Sequence, residues 1–223
     1  MSAALPQRLV SEALGTALLL ATVVGSGIMG ERLAGGNMAI ALLANAIATG
    51  AALYALISTF GPISGAHFNP LVTMVEVIEG HLRSHEAALY VLCQIIGALG
   101  GVLAAHAMFE LPWLQTPQHA RTGAPQWWSE AFATFGLLTV ILHCAKHRSG
   151  SVPAVVACYI TAAYWFTSST SFANPAVTLA RSLTDTFAGI RPIDAPGFIA
   201  AQFTGATIAY WLYRWMSEKV SAN

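Results

Sequence analysis

Polar positions along this chain are few, and the apolar runs between them are long. Six segments approach the roughly 20 mainly apolar residues that a membrane-crossing helix needs. They are about Leu9–Gly30, Met38–Phe60, Glu86–Phe109, Trp128–Ala145, Val152–Ser168 and Gly197–Trp215. Two shorter stretches, Asn69–Glu79 after the second span and Asn174–Leu183 after the fifth, are each about half a membrane thick. Both open on Asn-Pro, as Asn69-Pro70-Leu71-Val72-Thr73 and Asn174-Pro175-Ala176-Val177-Thr178. Asn caps the free amides of a helix start, and Pro fits the first turn because its missing N–H costs nothing there. The pattern predicts two half-helices whose N-termini meet inside the bilayer, each presenting a partial positive charge. Irregular backbone at that depth is tolerated only where it is buried in protein or lines a watery cavity.

Other landmarks repeat in the same order. Glu12-Ala13-Leu14-Gly15-Thr16 in the first span is answered by Glu130-Ala131-Phe132-Ala133-Thr134 in the fourth. Gln94-Ile95-Ile96-Gly97-Ala98 is answered by Gln202-Phe203-Thr204-Gly205-Ala206. The halves, about residues 8–109 and 126–216 of one domain covering 1–223, each hold three spans. An odd number inverts the second half relative to the first, so the half-helices enter from opposite faces. The predicted fold class is therefore an all-α membrane protein, six transmembrane helices plus two re-entrant half-helices in two inverted repeats.

Composition agrees. Hydrophobic residues make up 56% of the chain and charged residues 9%, against roughly 25% charged in soluble domains. Such a chain could not cover a water-facing surface, so its expected surroundings are a lipid bilayer. Ten basic and ten acidic residues cancel, which leaves nothing to attract nucleic acid. The run Ala13–Met29 reads as a span rather than a cleaved signal, since no small-residue cleavage site follows a basic leader. Cys93, Cys144 and Cys158 lie in apolar runs and read as buried small hydrophobes, not as a disulfide or metal site. No metal or cofactor is expected. With the N-terminus inside, Arg8, Arg83, Lys146, Arg148, Arg214 and Lys219 are cytoplasmic, against Arg32, Arg121, Arg181 and Arg191 outside. This bias places both termini in the cytoplasm, and the expected location is the cell's inner (plasma) membrane. Gly15, Gly97, Gly101 and Gly205 suit close helix packing, and Trp127, Trp128, Trp211 and Trp215 suit interfacial belts.

The Glu-x-x-x-Thr of the first span, Ser64-Gly65-Ala66-His67-Phe68-Asn69-Pro70, the Gln-x-x-Gly-Ala repeats and the second Asn-Pro-Ala resemble the aquaporin (major intrinsic protein) family over nearly the whole chain. Within it they resemble the short bacterial aquaglyceroporins associated with arsenic resistance. The resemblance implies a passive, non-enzymatic channel, with Asn69 and Asn174 as paired donors at the pore centre. Glu12 and Glu130 would brace the irregular backbone before each half-helix rather than relay protons, and His67 would brace its loop. Carbonyls of Gly65, Ala66, His67, Thr170, Ser171 and Phe172 would form an acceptor ladder on one pore wall. A homotetramer with one pore per protomer is also implied.

One position departs from the family pattern. Most members carry Arg three residues after the second Asn, where this chain has Val177. Family spacing places Thr49, Ala162 and Ser171 at the other constriction positions. These side chains predict a wide filter with no fixed charge, suited to small neutral solutes, with metalloid hydroxides such as arsenous acid ranked above glycerol. Arg181, about one turn beyond Val177, is expected to be a surface anchor or an ion-pair partner of Asp185, with a place in the outer vestibule as the alternative. An ordinary water channel and a proton-coupled secondary transporter remain alternatives. An intramembrane serine protease built on Ser64 would need Gly where Pro62 stands.

Overall fold

The computed structural model describes residues 3–220, with side chains to residue 217; residues 1–2 and 221–223 and the side chain of Lys219 lie outside the described part. Six long helices cross the molecule: α1 (Leu5–Leu33), α2 (Met38–Ser64), α4 (Ser84–Met108), α5 (Ala124–Arg148), α6 (Val152–Phe166) and α8 (Ala195–Val220). Two short ones, α3 (Pro70–Ile78) and α7 (Pro175–Arg181), follow α2 and α6. Every predicted span and half-helix is present. Most spans run several residues longer than the apolar pattern suggested, because polar ends such as Gln7 and Lys146-His147-Arg148 continue the helix beyond the apolar core. The chain is thus an all-helical membrane protein of six spans and two half-helices, in inverted halves.

Local chemistry sets the ends. Asn37 caps α2 by accepting from the amides of Ala39 and Ile40. Gly65 ends α2 in the left-handed region at φ 89°, where glycine alone escapes the Cβ penalty. Pro70 and Pro175 occupy first-turn positions behind their Asn caps.

Packing repeats between halves. A Cβ on Gly97 would lie 2.1 Å from the carbonyl oxygen of Ala13, and one on Gly205 would lie 2.1 Å from that of Ala131. Only glycine lets α4 approach α1, and α8 approach α5, this closely. Gly101 meets Ala17 in the same way, and the Phe68 ring fills the space above Gly15. Leucine, isoleucine and tryptophan side chains such as Leu14, Ile47, Ile96 and Trp211 point outward, while Glu12, Gln94, Glu130 and Gln202 are fully buried. That inside-out distribution suits a lipid surround and puts the costly polar groups where other protein groups can pair them. Trp127 and Trp128 are exposed at the start of α5, and Trp211 and Trp215 near the end of α8, on opposite faces. The cysteines are unpaired but not buried: Cys93 and Cys144 are half-exposed and Cys158 is exposed, all on outward helix faces. An apolar run marks contact with lipid as readily as contact with core.

Candidate functional site: a pore between two half-helices

Each half-helix is preceded by a loop in a strained conformation. Ala66 and Phe68 have φ of 49°, and Thr170, Ser171 and Ala173 have φ of 62°, 51° and 48°. Left-handed backbone costs a residue with a Cβ about 1–2 kcal/mol, so something must hold it. A carboxylate does so in each half. Glu12 accepts from Ser64 Oγ at 2.7 Å, from the amides of His67 (3.0 Å) and Phe68 (2.8 Å), and from Gln94 Nε2 (2.9 Å). Glu130 accepts from Ser169 Oγ at 2.6 Å, from the amides of Phe172 and Ala173 (both 2.9 Å), and from Gln202 Nε2 (2.6 Å). Gln94 and Gln202 also donate to Thr73 and Thr178 in the first turns of α3 and α7, at 2.9 Å each. Carboxylate, loop and half-helix form one buried network, and it is built twice. Ser64 is consumed in it, donating to Glu12 and accepting from the Ala66 amide, which leaves no serine–base pair for a protease.

The amides of residues 67–68 and 172–173 turn back to these carboxylates, which leaves the loops' other side for carbonyls. Asn69 Oδ1 caps the Leu71 amide, and its Nδ2 donates across the midline to the Ala173 carbonyl at 2.8 Å. Asn174 Oδ1 caps Ala176 and Val177, and its Nδ2 donates to the Phe68 carbonyl, also at 2.8 Å. Each Asn therefore anchors to the opposite loop with one amide hydrogen and keeps the other. The cap fixes where the remaining hydrogen points.

A cavity of about 100 Å³ runs past these groups. Gly65, Ala66, His67, Phe68, Asn69, Ser171, Phe172, Ala173 and Asn174 supply one side, and aliphatic side chains such as Leu53, Ile57, Val156 and Ile160 supply the rest. Thr170 does not line it; its hydroxyl is 3.5 Å from Nη1 of Arg121. His67 lines it with its ring, and its Nδ1 pairs with Thr73 Oγ1 at 3.0 Å.

The end of the cavity away from the chain termini differs from the expected filter. Thr49, Ser171 and Val177 line it, but Ala162 does not: it is exposed on the outer face of α6. The inward stripe of α6 is Val152, Val156, Ile160 and Tyr164, spaced at i, i+4, and Ala162 sits two residues off that register. Tyr164 takes its place, with its hydroxyl 3.2 Å from Thr49 Oγ1. Nor does the site lack a fixed charge. Arg181 is 2% exposed, lines the cavity and makes no ion pair with Asp185. Asp185 instead accepts from the Gln118 amide at 2.9 Å. Arg181 lies one turn past Val177 on the same inward face of α7, and the loop after α7 folds over it, so its Nε donates to the Ala188 carbonyl. Its guanidinium carbon stands 3.4 Å from the centroid of the Phe172 ring.

A second arginine stands behind. Arg121, from the connection between α4 and α5, donates to the carbonyls of Gly189 (2.9 Å), Ser169 (3.0 Å) and Phe187 (3.4 Å). Its guanidinium carbon is 5.1 Å from the same Phe172 ring. Burial pulls its pKa down to about 10, which leaves it charged at neutral pH. Tyr164 and Arg121 carried no motif signal; only the i, i+4 stripe ending at Tyr164 pointed to the first.

The family model for major intrinsic proteins matches residues 1–168. The chain is 54% identical over 96% of its length to Aquaglyceroporin AqpS of Rhizobium meliloti (strain 1021), of which it covers 91%. The chain belongs to the major intrinsic protein family. Its membership makes it a passive membrane channel rather than an enzyme. It is also 32% identical to the Glycerol uptake facilitator protein-like 6 of Lactiplantibacillus plantarum, over 49% of this chain and 54% of that one. The X-ray structure of the aquaglyceroporin from Plasmodium falciparum shares the fold, with a TM-score of 0.68 and 20% identity over 98% of both chains. The chain has Asn69 and Asn174 at the starts of both half-helices, Val177 three residues after the second Asn, and Arg181 one turn further along α7.

Proposed function

We propose that the cavity is a conduction path for small uncharged, hydroxyl-bearing solutes, arsenous acid and glycerol among them, with water able to follow. One observation carries this reading: two Asn-capped half-helices meet at a cavity polar along one side and aliphatic around the rest. A polyhydroxylated solute can lay its hydroxyls along Asn69, Asn174 and the loop carbonyls while its non-polar side slides along Leu53, Val156 and Ile160. At the level of Asn69 and Asn174 a dehydrated cation meets amide donors and the positive ends of two half-helices. Ser171 lines the cavity, and its buried Oγ has no hydrogen-bond partner among the described residues.

Arg181 changes the ranking of solutes. Two features count against glycerol, Val177 in place of the family's arginine and Thr178 in place of the aspartate of glycerol facilitators; the first is offset by an arginine that lines the same end of the cavity. Glycerol therefore stands beside metalloid hydroxides rather than below them, in keeping with the aquaglyceroporin name of the relative that is 54% identical. The filter we propose is Thr49, Tyr164, Ser171, Val177 and Arg181. The carbonyl ladder is that of Gly65, Ala66, His67, Ser171 and Phe172. The assembly we propose is a homotetramer in the plasma membrane with both termini cytoplasmic.

The test is stopped-flow flux in proteoliposomes for water, glycerol and arsenous acid, against empty liposomes. All three should pass, with glycerol and arsenous acid well above the protein-free rate. Water flux alone would reduce the protein to a water channel.

A further inference from the structure

The connection between α4 and α5 carries two exposed apolar side chains on a backbone that is pinned. Glu110 turns the chain in the left-handed region at φ 57°, and Leu111 packs back against the core. Trp113 and Leu114 then stand 63% and 71% exposed. Their exposure is not that of a loose loop. The Trp113 carbonyl accepts from Nδ1 of the buried His106 at 3.1 Å, and Nε2 of the same ring stands 2.8 Å from the Thr184 hydroxyl. Gln115 Oε1 accepts from the Asp185 amide at 2.6 Å, and the Gln118 amide donates to Asp185 at 2.9 Å. The His119 carbonyl accepts from the Arg191 amide at 3.0 Å, and Arg121 is fastened to Gly189 and Phe187. The segment thus straps down residues 184–191, the loop that covers Arg181. Backbone and polar side chains make these bonds, and the two large apolar side chains are left outside.

Their surroundings identify what covers them. The ends of α1 and α4 meet on the side away from the chain termini, where Arg32 donates to the Phe109 carbonyl at 3.1 Å and lies over its ring. Leu33 and Met108, the last residues of those helices, are exposed as well. Trp113 and Leu114 therefore continue the apolar outward surface of α1 and α4 past the helix ends. Trp128 at the start of α5 and Trp165 at the end of α6 are exposed on the same side. Tryptophan favours that membrane boundary because its ring suits the acyl region and its N–H the headgroups. We infer that Trp113 and Leu114 seat in the leaflet away from the chain termini and make the α4–α5 connection a lipid-anchored strap. The membrane holds one end and residues 184–191 hold the other. The partner is the boundary between headgroups and acyl chains, so the bilayer steadies the loop over Arg181 alongside its hydrogen bonds. This goes beyond conduction and requires only that the chain spans a membrane.

The test places a bimane label on Leu114→Cys or, two residues on, at the exposed Thr116→Cys. Both are made with Cys93→Ser, Cys144→Ser and Cys158→Ser and reconstituted in phosphatidylcholine vesicles. Quenching by iodide on both sides of the membrane is compared with quenching by phosphatidylcholine carrying a nitroxide near the headgroup end of its acyl chain. The label at 114 should be quenched by the lipid nitroxide and shielded several-fold from iodide relative to the label at 116. Equal iodide quenching at the two positions overturns the inference. So does a label at 114 shielded from both quenchers, since a second copy of the chain would then cover it. Amide exchange in the same vesicles reads the strap without any cysteine replacement. Trp113→Ser with Leu114→Ser should speed exchange of residues 115–119 several-fold and leave residues 64–69 at the wild-type rate. Wild-type exchange at 115–119, or a rise that extends to 64–69, overturns the strap. Neither readout is a flux, so failure here is distinguishable from failure of the channel proposal.

Discussion

The two halves of the molecule agree behind the pore and differ at some positions along it. Glu12, Ser64, Gln94 and Thr73 hold the first re-entrant loop through the same bonds by which Glu130, Ser169, Gln202 and Thr178 hold the second. Even the left-handed residues correspond, Ala66 with Ser171 and Phe68 with Ala173. Along the path Asn69 with Asn174 and Val72 with Val177 still match, but other paired positions diverge. His67 of the first loop, stacked near Tyr90, answers to Phe172 of the second, which carries two arginines. Glu76 of α3, half-buried beside His81, answers to the buried Arg181 of α7. The frame is kept in both halves, while the matched positions Glu76 and Arg181 carry opposite charge.

The sharpest way to break this comparison is to attack the frame. Glu12→Gln and Glu130→Gln each turn an amide NH₂ toward backbone N–H groups, leaving at least two buried donors unpaired at about 1–3 kcal/mol each. Both variants should lose most of their assembled protein, by similar amounts, as read by thermal unfolding in detergent. A large loss in one half with wild-type stability in the other would mean that the two braces are not equivalent.

Substitutions along the path should act on flux instead of assembly, and unequally. Val177→Arg places a second cation one turn from Arg181 and narrows the level set by Thr49 and Ser171. Glycerol and arsenous acid flux should fall several-fold more than water flux. Val72→Arg, at the matching place in α3, meets Glu76 one turn on, an i, i+4 pairing of opposite charges worth about 0.2–0.5 kcal/mol, and should do less to the larger solutes. Equal effects would erase the distinction between the mouths.

The smallest effect concerns the strap over the Arg121 side. Asp194 accepts from Arg191 Nε at 2.9 Å and from the Arg121 amide at 2.9 Å. Burial pushes its pKa up, but these hydrogen bonds outweigh it and hold it below the ordinary value. A lowered folded-state pKa means stabilisation that is complete above the unfolded value near 4 and is lost as pH falls through the folded one. Amide exchange of residues 119–123 should therefore rise only below about pH 4, and Asp194→Asn should remove that step.

Much of this was legible in the sequence because it is written in local signals. Asn-Pro announces a capped half-helix, and a buried Glu recurring with a Gln-x-x-Gly-Ala announces a repeated brace. The filter was less legible. Counting along family spacing chose Ala162, although the stripe Val156, Ile160 and Tyr164 fixes which side of α6 faces inward. Arg181 looked like a surface residue because nothing local shows that residues 184–190 fold back over it. Arg121 is farther still from its partners, reaching carbonyls 48 to 68 positions away. Left-handed backbone at Thr170, Ser171 and Ala173 carries no glycine to advertise it; the Glu130 network imposes it from a distance.

The central claim is passive conduction through a fixed path. It is tested most directly by initial rates of glycerol entry into proteoliposomes over a wide range of glycerol concentration, with and without an imposed proton gradient. The account predicts rates that rise linearly with concentration and ignore the gradient. Saturating rates that follow the proton gradient would contradict it and point to alternating access instead.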